Sequence, residues 1–259
     1  MASILDRYGI KEVADVTFYK LDDTGKPAEP VLYLDTLKVS TIEQTAENVE
    51  ARGGKGNPAL VSWDYNKEIN VTLEDALFSA KSMAVMFGSG VVKSDSTSAS
   101  ADLSQIKKTI AFTATTSGTS AVPASWEGPQ GKKYQISNAL IYDETGASLT
   151  SDSIVSGKKY FATFDMSIKE NTLGLIEVSA NTFPGTYYIT GDTYARSDIN
   201  GNDEFFQFII PKAKINAENT ITLEAEGDPS VFNLSLRVLR PEDGVMMKLV
   251  KYDMAEISG

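Results

Sequence analysis

The chain has no cysteine and no histidine. The first absence excludes disulfides, thiolate zinc sites, redox pairs and a cysteine nucleophile. The second excludes a Ser-His-Asp triad, imidazole metal ligation and a side chain that titrates near neutrality by default. Positive charge is also scarce: 24 basic residues stand against 35 acidic ones, a formal net charge of -11. A sequence pI near 4.6 argues against a protein that grips nucleic acid by neutralising phosphates. No apolar run approaches the roughly 20 residues that span a bilayer, so no membrane is expected as a partner. Met1-Ala2-Ser3-Ile4-Leu5-Asp6 lacks the basic region and apolar core of a signal peptide, and the expectation is synthesis in a reducing cytoplasm.

The 259 residues suffice for one large domain or two ordinary ones, and 42% of them are apolar, enough for a core. The acidity is not spread evenly. Residues 1–92 carry 14 acids and 9 bases, residues 93–171 carry 8 of each, and residues 172–259 carry 13 and 7. The neutral middle opens with a Ser/Thr/Ala/Gly-rich stretch at residues 94–101 and contains another at 113–124, which read as linkers or loops. One organisation consistent with this is a discontinuous domain made of residues 1–92 and 172–259, with a β-rich module at 93–171 inserted. The other is a serine-rich loop region within one continuous domain.

The secondary-structure pattern is mainly β. Alternating segments at 13–21, 31–39, 59–65, 109–114, 133–141 and 159–166 read as strands, as do 173–179, 185–194, 204–210, 219–226, 231–239 and 246–252. Many strands punctuated by Gly, Asn, Asp and Pro turns indicate a sandwich or barrel. Residues 40–58, polar and ending in Gly53-Gly54-Lys55-Gly56-Asn57-Pro58, read as a long exposed loop. One helix is expected, with Thr72 as N-cap, Asp75 three residues on, and Leu73, Leu77, Ala80, Ala84 and Phe87 as its apolar stripe. Gly88 is its expected stop, and Met83, Met86 and Phe87 are expected to pack in the core.

Few constellations suggest chemistry. Asp198-Ile199-Asn200-Gly201-Asn202-Asp203-Glu204 has calcium-loop composition, but the glycine comes too early and no glutamate closes the loop, so a polar hairpin turn is expected. Gly53-Gly54-Lys55-Gly56 and Gly128-Pro129-Gln130-Gly131-Lys132-Lys133 lack phosphate-loop spacing. Paired acids such as Asp22-Asp23, Glu74-Asp75, Asp203-Glu204 and Glu242-Asp243 sit where a turn or cap would use them. The expectation is a protein that is not an enzyme, without cofactor or metal. In a strand at 219–226, Ile221, Leu223 and Ala225 would face one way, and Thr222, Glu224 and Glu226 the other, with Asp228 extending the acidic row. In the same way Ile69, Val71 and Leu73 would oppose Glu68, Asn70 and Thr72.

The run Val49-Glu50-Ala51-Arg52-Gly53-Gly54-Lys55-Gly56-Asn57-Pro58-Ala59-Leu60-Val61-Ser62-Trp63-Asp64 resembles that of phage tail tube (major tail) proteins from phages of Gram-positive bacteria. So do Val71-Thr72-Leu73-Glu74-Asp75-Ala76, Phe183-Pro184-Gly185-Thr186-Tyr187-Tyr188, Gly191-Asp192-Thr193, Glu204-Phe205-Phe206-Gln207-Phe208-Ile209-Ile210-Pro211 and Glu224-Ala225-Glu226-Gly227-Asp228-Pro229. The resemblance covers roughly residues 10–90 and 172–252; the module at 93–171 matches nothing in it. It implies a β-sandwich or barrel of the tail-tube fold with one flanking α-helix and, here, a β-rich insertion. It further implies a virion structural protein, made in the host bacterial cytoplasm, that forms hexameric rings stacked into a tube. DNA would pass through the lumen on ejection. The implied partners are further copies of the chain, the tape measure protein and phage DNA in the lumen, the baseplate hub, and a sheath if the tail is contractile.

On this resemblance Glu50, Arg52, Gly53, Gly54, Lys55, Gly56 and Asn57 belong to a loop that stacks one ring on the next. Glu68, Glu224, Glu226 and Asp228 are the candidate lumen acids, since an acidic wall repels DNA and a basic one would hold it. Two alternatives remain open. One is a baseplate or tail-terminator ring protein of the same fold. The other is a β-sandwich adhesin or carbohydrate-binding module using Trp126, Tyr134, Tyr142 and Tyr160.

Overall fold

The computed structural model describes residues 7–93, 107–128, 131–136, 138–165, 174–199, 201–221 and 231–252, with backbone alone at 91–93 and 174–175. In chain order the strands are β1 (Tyr8–Ile10), β2 (Asp15–Leu21), β3 (Pro27–Leu34), β4 (Leu37–Arg52), β5 (Ala59–Asp75) and, after the helix α1 (Ala80–Phe87), β6 (Val91–Lys93). They continue with β7 (Lys107–Thr113), β8 (Ser125–Glu127), β9 (Lys133–Gln135), β10 (Leu140–Tyr142), β11 (Ser148–Leu149), β12 (Lys159–Asp165) and β13 (Gly174–Ile176). The last are β14 (Thr186–Ser197), β15 (Asp203–Ile215), β16 (Phe232–Val238) and β17 (Lys248–Tyr252). The molecule is mainly β, sandwich-like, with one α-helix among the described residues. The chain divides into two compact units, residues 1–91 with 176–259, and residues 92–175.

The first unit is built on a nine-stranded sheet ordered β3-β2-β14-β15-β16-β5-β4, with β1 added to β14 and β17 added to β15. Strand β15 serves two neighbours: Phe205–Ile209 pair with β17, and Ala213–Ile215 pair with β16. Pro211 lies at the handover, where the β14–β15 register slips between Tyr187 and Ile189, and a residue with no N–H costs the ladder least there. The sheet closes over one apolar cluster. Val16 and Phe18 of β2, Val71 and Leu73 of β5, Ile189 of β14, Ile210 and Ile215 of β15, and Leu234 and Leu236 of β16 are all buried in it. Burying each such side chain is worth about 1.5–3 kcal/mol against leaving it in water.

Helix α1 covers part of this core with Val85 and Met86, and Met83 and Phe87 pack on it half-buried, as expected. The helix starts later than the sequence suggests. Ser79, not Thr72, is the N-cap, in a reciprocal capping box with Ser82. Residues Val71–Asp75 instead sit between two strands, paired with β4 on one side and β16 on the other. Two ladders of backbone hydrogen bonds outweigh a local helical pattern, and Leu77, assigned to the helical stripe, is exposed. Gly88 does end the helix, in the left-handed region at φ 70°. A Cβ there would lie 2.2 Å from the Phe183 carbonyl oxygen, so both dihedral and space require glycine.

The second unit has its own sheet, ordered β11-β10-β12-β7, and a separate β8–β9 hairpin. Its core consists of Ala114, Ala121, Ile141, Ile154, Tyr160 and Ala162. The single strand expected at 133–141 is two, β9 and β10, interrupted around Asn138, whose φ is 53°. Strands β6 and β13, which flank this unit in the sequence, pair with each other.

The two units share one turn chemistry. Asp22-Asp23-Thr24-Gly25 joins β2 to β3, and Asp143-Glu144-Thr145-Gly146 joins β10 to β11. In each, the first aspartate accepts from the threonine N–H (2.8 and 2.9 Å), the threonine hydroxyl and the N–H four residues on (2.9 Å in both). These bonds hold both carboxyls below their ordinary range.

Candidate assembly surface

Strands β4 and β5 pair from Leu37↔Asp75 out to Arg52↔Ala59, but β16 covers β5 only over Asn70–Asp75. Beyond Glu68 the hairpin is therefore a two-stranded arm. The segment 40–58, expected as a loop, is strand up to Arg52, and only residues 53–58 turn. Only Ile42 of this stretch packs on the core cluster, and past Gln44 both faces meet solvent, so the alternation that announces a half-buried strand is missing there.

The tip uses its glycines for backbone reasons. Gly54 and Gly56 take φ values of 85° and 86°, Asn57 takes 52°, and Gly53 N donates to the Pro58 carbonyl at 3.2 Å. Of the residues assigned to stacking, Glu50 and Arg52 pair with each other at 2.5 Å on one face of the arm, and Lys55 lies exposed on the tip. Thus the structure gathers Glu50, Arg52, Gly53, Gly54, Lys55, Gly56 and Asn57 at the distal end of the arm.

The other face of the arm is apolar. At the base, Ile69, Val71 and Leu73 point into the core, opposite Gln44, Ile42 and Ser40. The register then slips, with Thr45 opposite Glu68 but Glu47 opposite Tyr65. Strand β5 thus carries one residue more than β4, at a bulge where Asn66 has φ 52°. Because side-chain direction alternates, the extra residue reverses which side of β5 faces the core side. Val61, Trp63 and Tyr65 are consequently opposite Ala51, Val49 and Glu47, on the side turned away from the core. Val49, Val61, Trp63 and Tyr65 are 48–55% exposed, an unusual set for a ribbon with no covering layer. Glu47 is the sole charge in these pairs. It accepts from Asn66 Nδ2 at 3.0 Å, and the Asn66 and Tyr65 hydrogen bonds hold its carboxyl below the usual range. The sequence reading missed this face, although the alternation Val61, Trp63, Tyr65 was its visible trace.

Glu68 lies where expected, on the outward side of β5 with Asn70 and Thr72, while Ile69, Val71 and Leu73 are buried. Its carboxylate is not free: Arg237 of β16 reaches it. The same outward side carries Glu43 of β4 and Glu74 of β5, so three acids share it with one base. Glu224, Glu226 and Asp228 lie outside the described residues.

A cleft of about 310 Å³ opens beside the free edge of β4. The β1–β2 connection (Ile10 to Ala14), the root of β4 (Lys38 to Ile42), Thr193, Phe206 and Phe208 line it. Ile10, Val13 and Val39 keep exposed apolar surface there. Ser40 Oγ is shut off from solvent and has no hydrogen-bond partner among the described residues. Near the same end, Lys251 of β17 ties Tyr8 of β1 to Glu204 of β15, its ammonium 3.8 Å from the centre of the Tyr8 ring.

The remaining sequence candidates resolve simply. The Asp198-to-Glu204 segment forms the hairpin turn between β14 and β15, braced by a two-bond Arg196–Asp203 pair at 2.6 and 2.7 Å; Asn200 lies outside the described residues. In the second unit Tyr160 is core, with its hydroxyl taking the Val155 N–H at 3.0 Å. Trp126 stacks with Tyr134 at 5.5 Å and has the Lys108 ammonium 4.7 Å from its ring. Two of the four proposed sugar-stacking aromatics thus pack on each other and a third is internal. Among the described residues no cluster of carboxylates could hold a metal ion.

No curated protein matches the chain. A family profile, described as the YomU/Tube protein family, matches residues 8–251. That span runs from the first described strand to the last and takes in both the arm and the cleft, so the chain belongs to the YomU/Tube protein family.

Proposed function

We propose that the protein is a structural subunit of a phage tail tube, assembled as hexameric rings stacked into a hollow tube. The observation that carries this reading, beside the family membership, is the arm: a two-stranded ribbon that leaves the sandwich and exposes an apolar face. A monomer gains nothing from holding Val49, Val61, Trp63 and Tyr65 in water, whereas an assembly that covers them recovers that cost. Joining of the free edges of β3 and β4 between copies within a ring would remove unpaired strand edges.

In this reading the outward side of β4–β5–β16, with Glu43, Glu68 and Glu74 against Arg237, belongs to the lumen wall. Its excess of acid lets DNA slide past on ejection rather than bind. The arm and its glycine tip stack one ring on the next. The tape measure protein and DNA would occupy the lumen, the baseplate hub would cap it, and a sheath would surround it in a contractile tail. No chemical step is assigned to the chain.

Electron microscopy of the purified protein, with and without a tail initiation complex, tests the proposal. Rings with six subunits and tubes are expected; monomers under every polymerising condition would sink it. Copy number separates a tube subunit, present in very many copies per virion, from a baseplate or terminator ring with about one ring's worth.

A further inference from the structure

The arm exposes its apolar face to no described layer of its own unit, and the cleft beside β4 is lined mainly by apolar side chains. We propose that the cleft is the receptor for the arm of a second copy, with Trp63 as the inserted residue. This rests on the tube reading and adds to it where on the receiving subunit the arm is held.

The first argument is distance. Val39, at the cleft, and Val49, in the arm's apolar face, lie on the same strand ten residues apart, which at about 3.3 Å per residue is about 33 Å. A hydrogen-bonded ribbon does not fold back over that span, so an arm cannot enter its own cleft. The contact must run from one copy to another.

The second argument is chemistry. Trp63 presents a large, half-exposed apolar ring and one N–H that donates but cannot accept, and among the described residues that N–H has no hydrogen-bond partner. The cleft offers apolar side chains, Val39, Phe206 and Phe208. Tryptophan is the kind of residue that anchors an interface by filling a pocket while its N–H is satisfied.

The third argument is charge. Lys11 and Lys38 stand on the cleft wall with Glu12, so bases outnumber acids there two to one, and neither lysine has an ion-pair partner among the described residues. Glu47, the sole charge in the arm's apolar-face pairs, carries the opposite sign and sits one pair away from Trp63.

An arm and a cleft are different patches of one chain, so the contact is head-to-tail. Such a contact does not close on itself unless a rotation makes it, and it therefore propagates into a filament with an unfilled cleft at one end and a free arm at the other.

The absence of cysteine gives a clean test, since introduced thiols have no competitors. The chain carrying both Val39→Cys and Val61→Cys, with Trp63 kept in place, is assembled and mildly oxidised. The expected result on a denaturing, non-reducing gel is a ladder of covalent multimers, absent from either single variant. Tubes that form normally but give no ladder would overturn the arm-in-cleft contact and leave the tube reading intact. A wild-type protein that never assembles would remove both.

Should the double-cysteine chain itself not assemble, charge reversal decides. Lys38→Glu and Glu47→Lys should each lower the sedimenting fraction about tenfold, equivalent to about 1.4 kcal/mol per contact. The two together should restore it, with each purified chain retaining the wild-type far-UV spectrum. Single variants that assemble like wild type, or a double that stays impaired, would refute the contact.

Discussion

Val49 and Trp63 lie directly opposite each other on the arm, on the side turned away from the core, and one extra residue in β5 puts them there. A one-to-one register past Glu68 would instead set Val49 against Asp64, and the arm would have no continuous apolar face. Replacing Val49 and Trp63 together by threonine should leave the sandwich folded, with a melting temperature near wild type, since both side chains lie outside the core. Tube formation should fall sharply. The comparison of calorimetric scans with electron micrographs checks this, and normal tubes from the double variant would show that the apolar face is not used.

Gly88 and Gly191 are the glycines whose replacement should cost most. At Gly88 a side chain meets the Phe183 backbone and a left-handed φ of 70°. The dihedral alone costs about 1–2 kcal/mol, and the steric shift adds about 1–3 kcal/mol. At Gly191 a Cβ would sit 2.1 Å from the Phe208 ring in the core, without a dihedral penalty, so about 1–3 kcal/mol is expected. Urea unfolding of Gly88→Ala and Gly191→Ala should rank both below Gly9→Ala, where nothing lies within 4 Å of the added carbon and no left-handed dihedral is imposed. Equal midpoints for all three would contradict the packing seen here.

The Asx turns predict an acid dependence. Asp22 and Asp143 have folded pKa values lowered by hydrogen bonds to their ionised forms. A lowered folded value means stability that is fully present above the unfolded value of about 3.9 and is lost as pH falls through the folded one. Melting temperature should hold steady from neutrality to about pH 4 and then decline. Asp22→Asn and Asp143→Asn keep an acceptor but not the charge, so each should flatten that decline. An unchanged acid limb in the double variant would remove these turns from the account.

Each unit has its own core, which bears on excision. Replacing residues 92–175 by a short Gly/Ser linker should leave a folded first unit, because none of the twenty buried residues of its described core cluster comes from that stretch. The strands β6 and β13 pair where the replaced segment begins and ends, so the linker has a short gap to close. Far-UV circular dichroism and cooperative urea unfolding of the shortened chain check this. A molten or insoluble product would mean that the cores depend on each other.

The sequence by itself determined the β class, most strand positions and the core-facing choice along Ile69, Val71 and Leu73. It did so because a half-buried strand must alternate, and alternation can be read without a structure. It also determined the stop at Gly88, since a left-handed residue has few candidates. Tertiary structure decided the rest. Residues Val71 to Asp75 are compatible with a helix entry in isolation and become strand because two neighbours supply ladders. Residues 40–52 read as loop because Ile42 is their one apolar side chain packed on the core, and become strand because β5 runs alongside. The arm's apolar face needed both strands and a one-residue slip between them, a relationship between segments that no local pattern records. The cleft joins residues near 12, 40 and 206, and only the closed sheet brings those together.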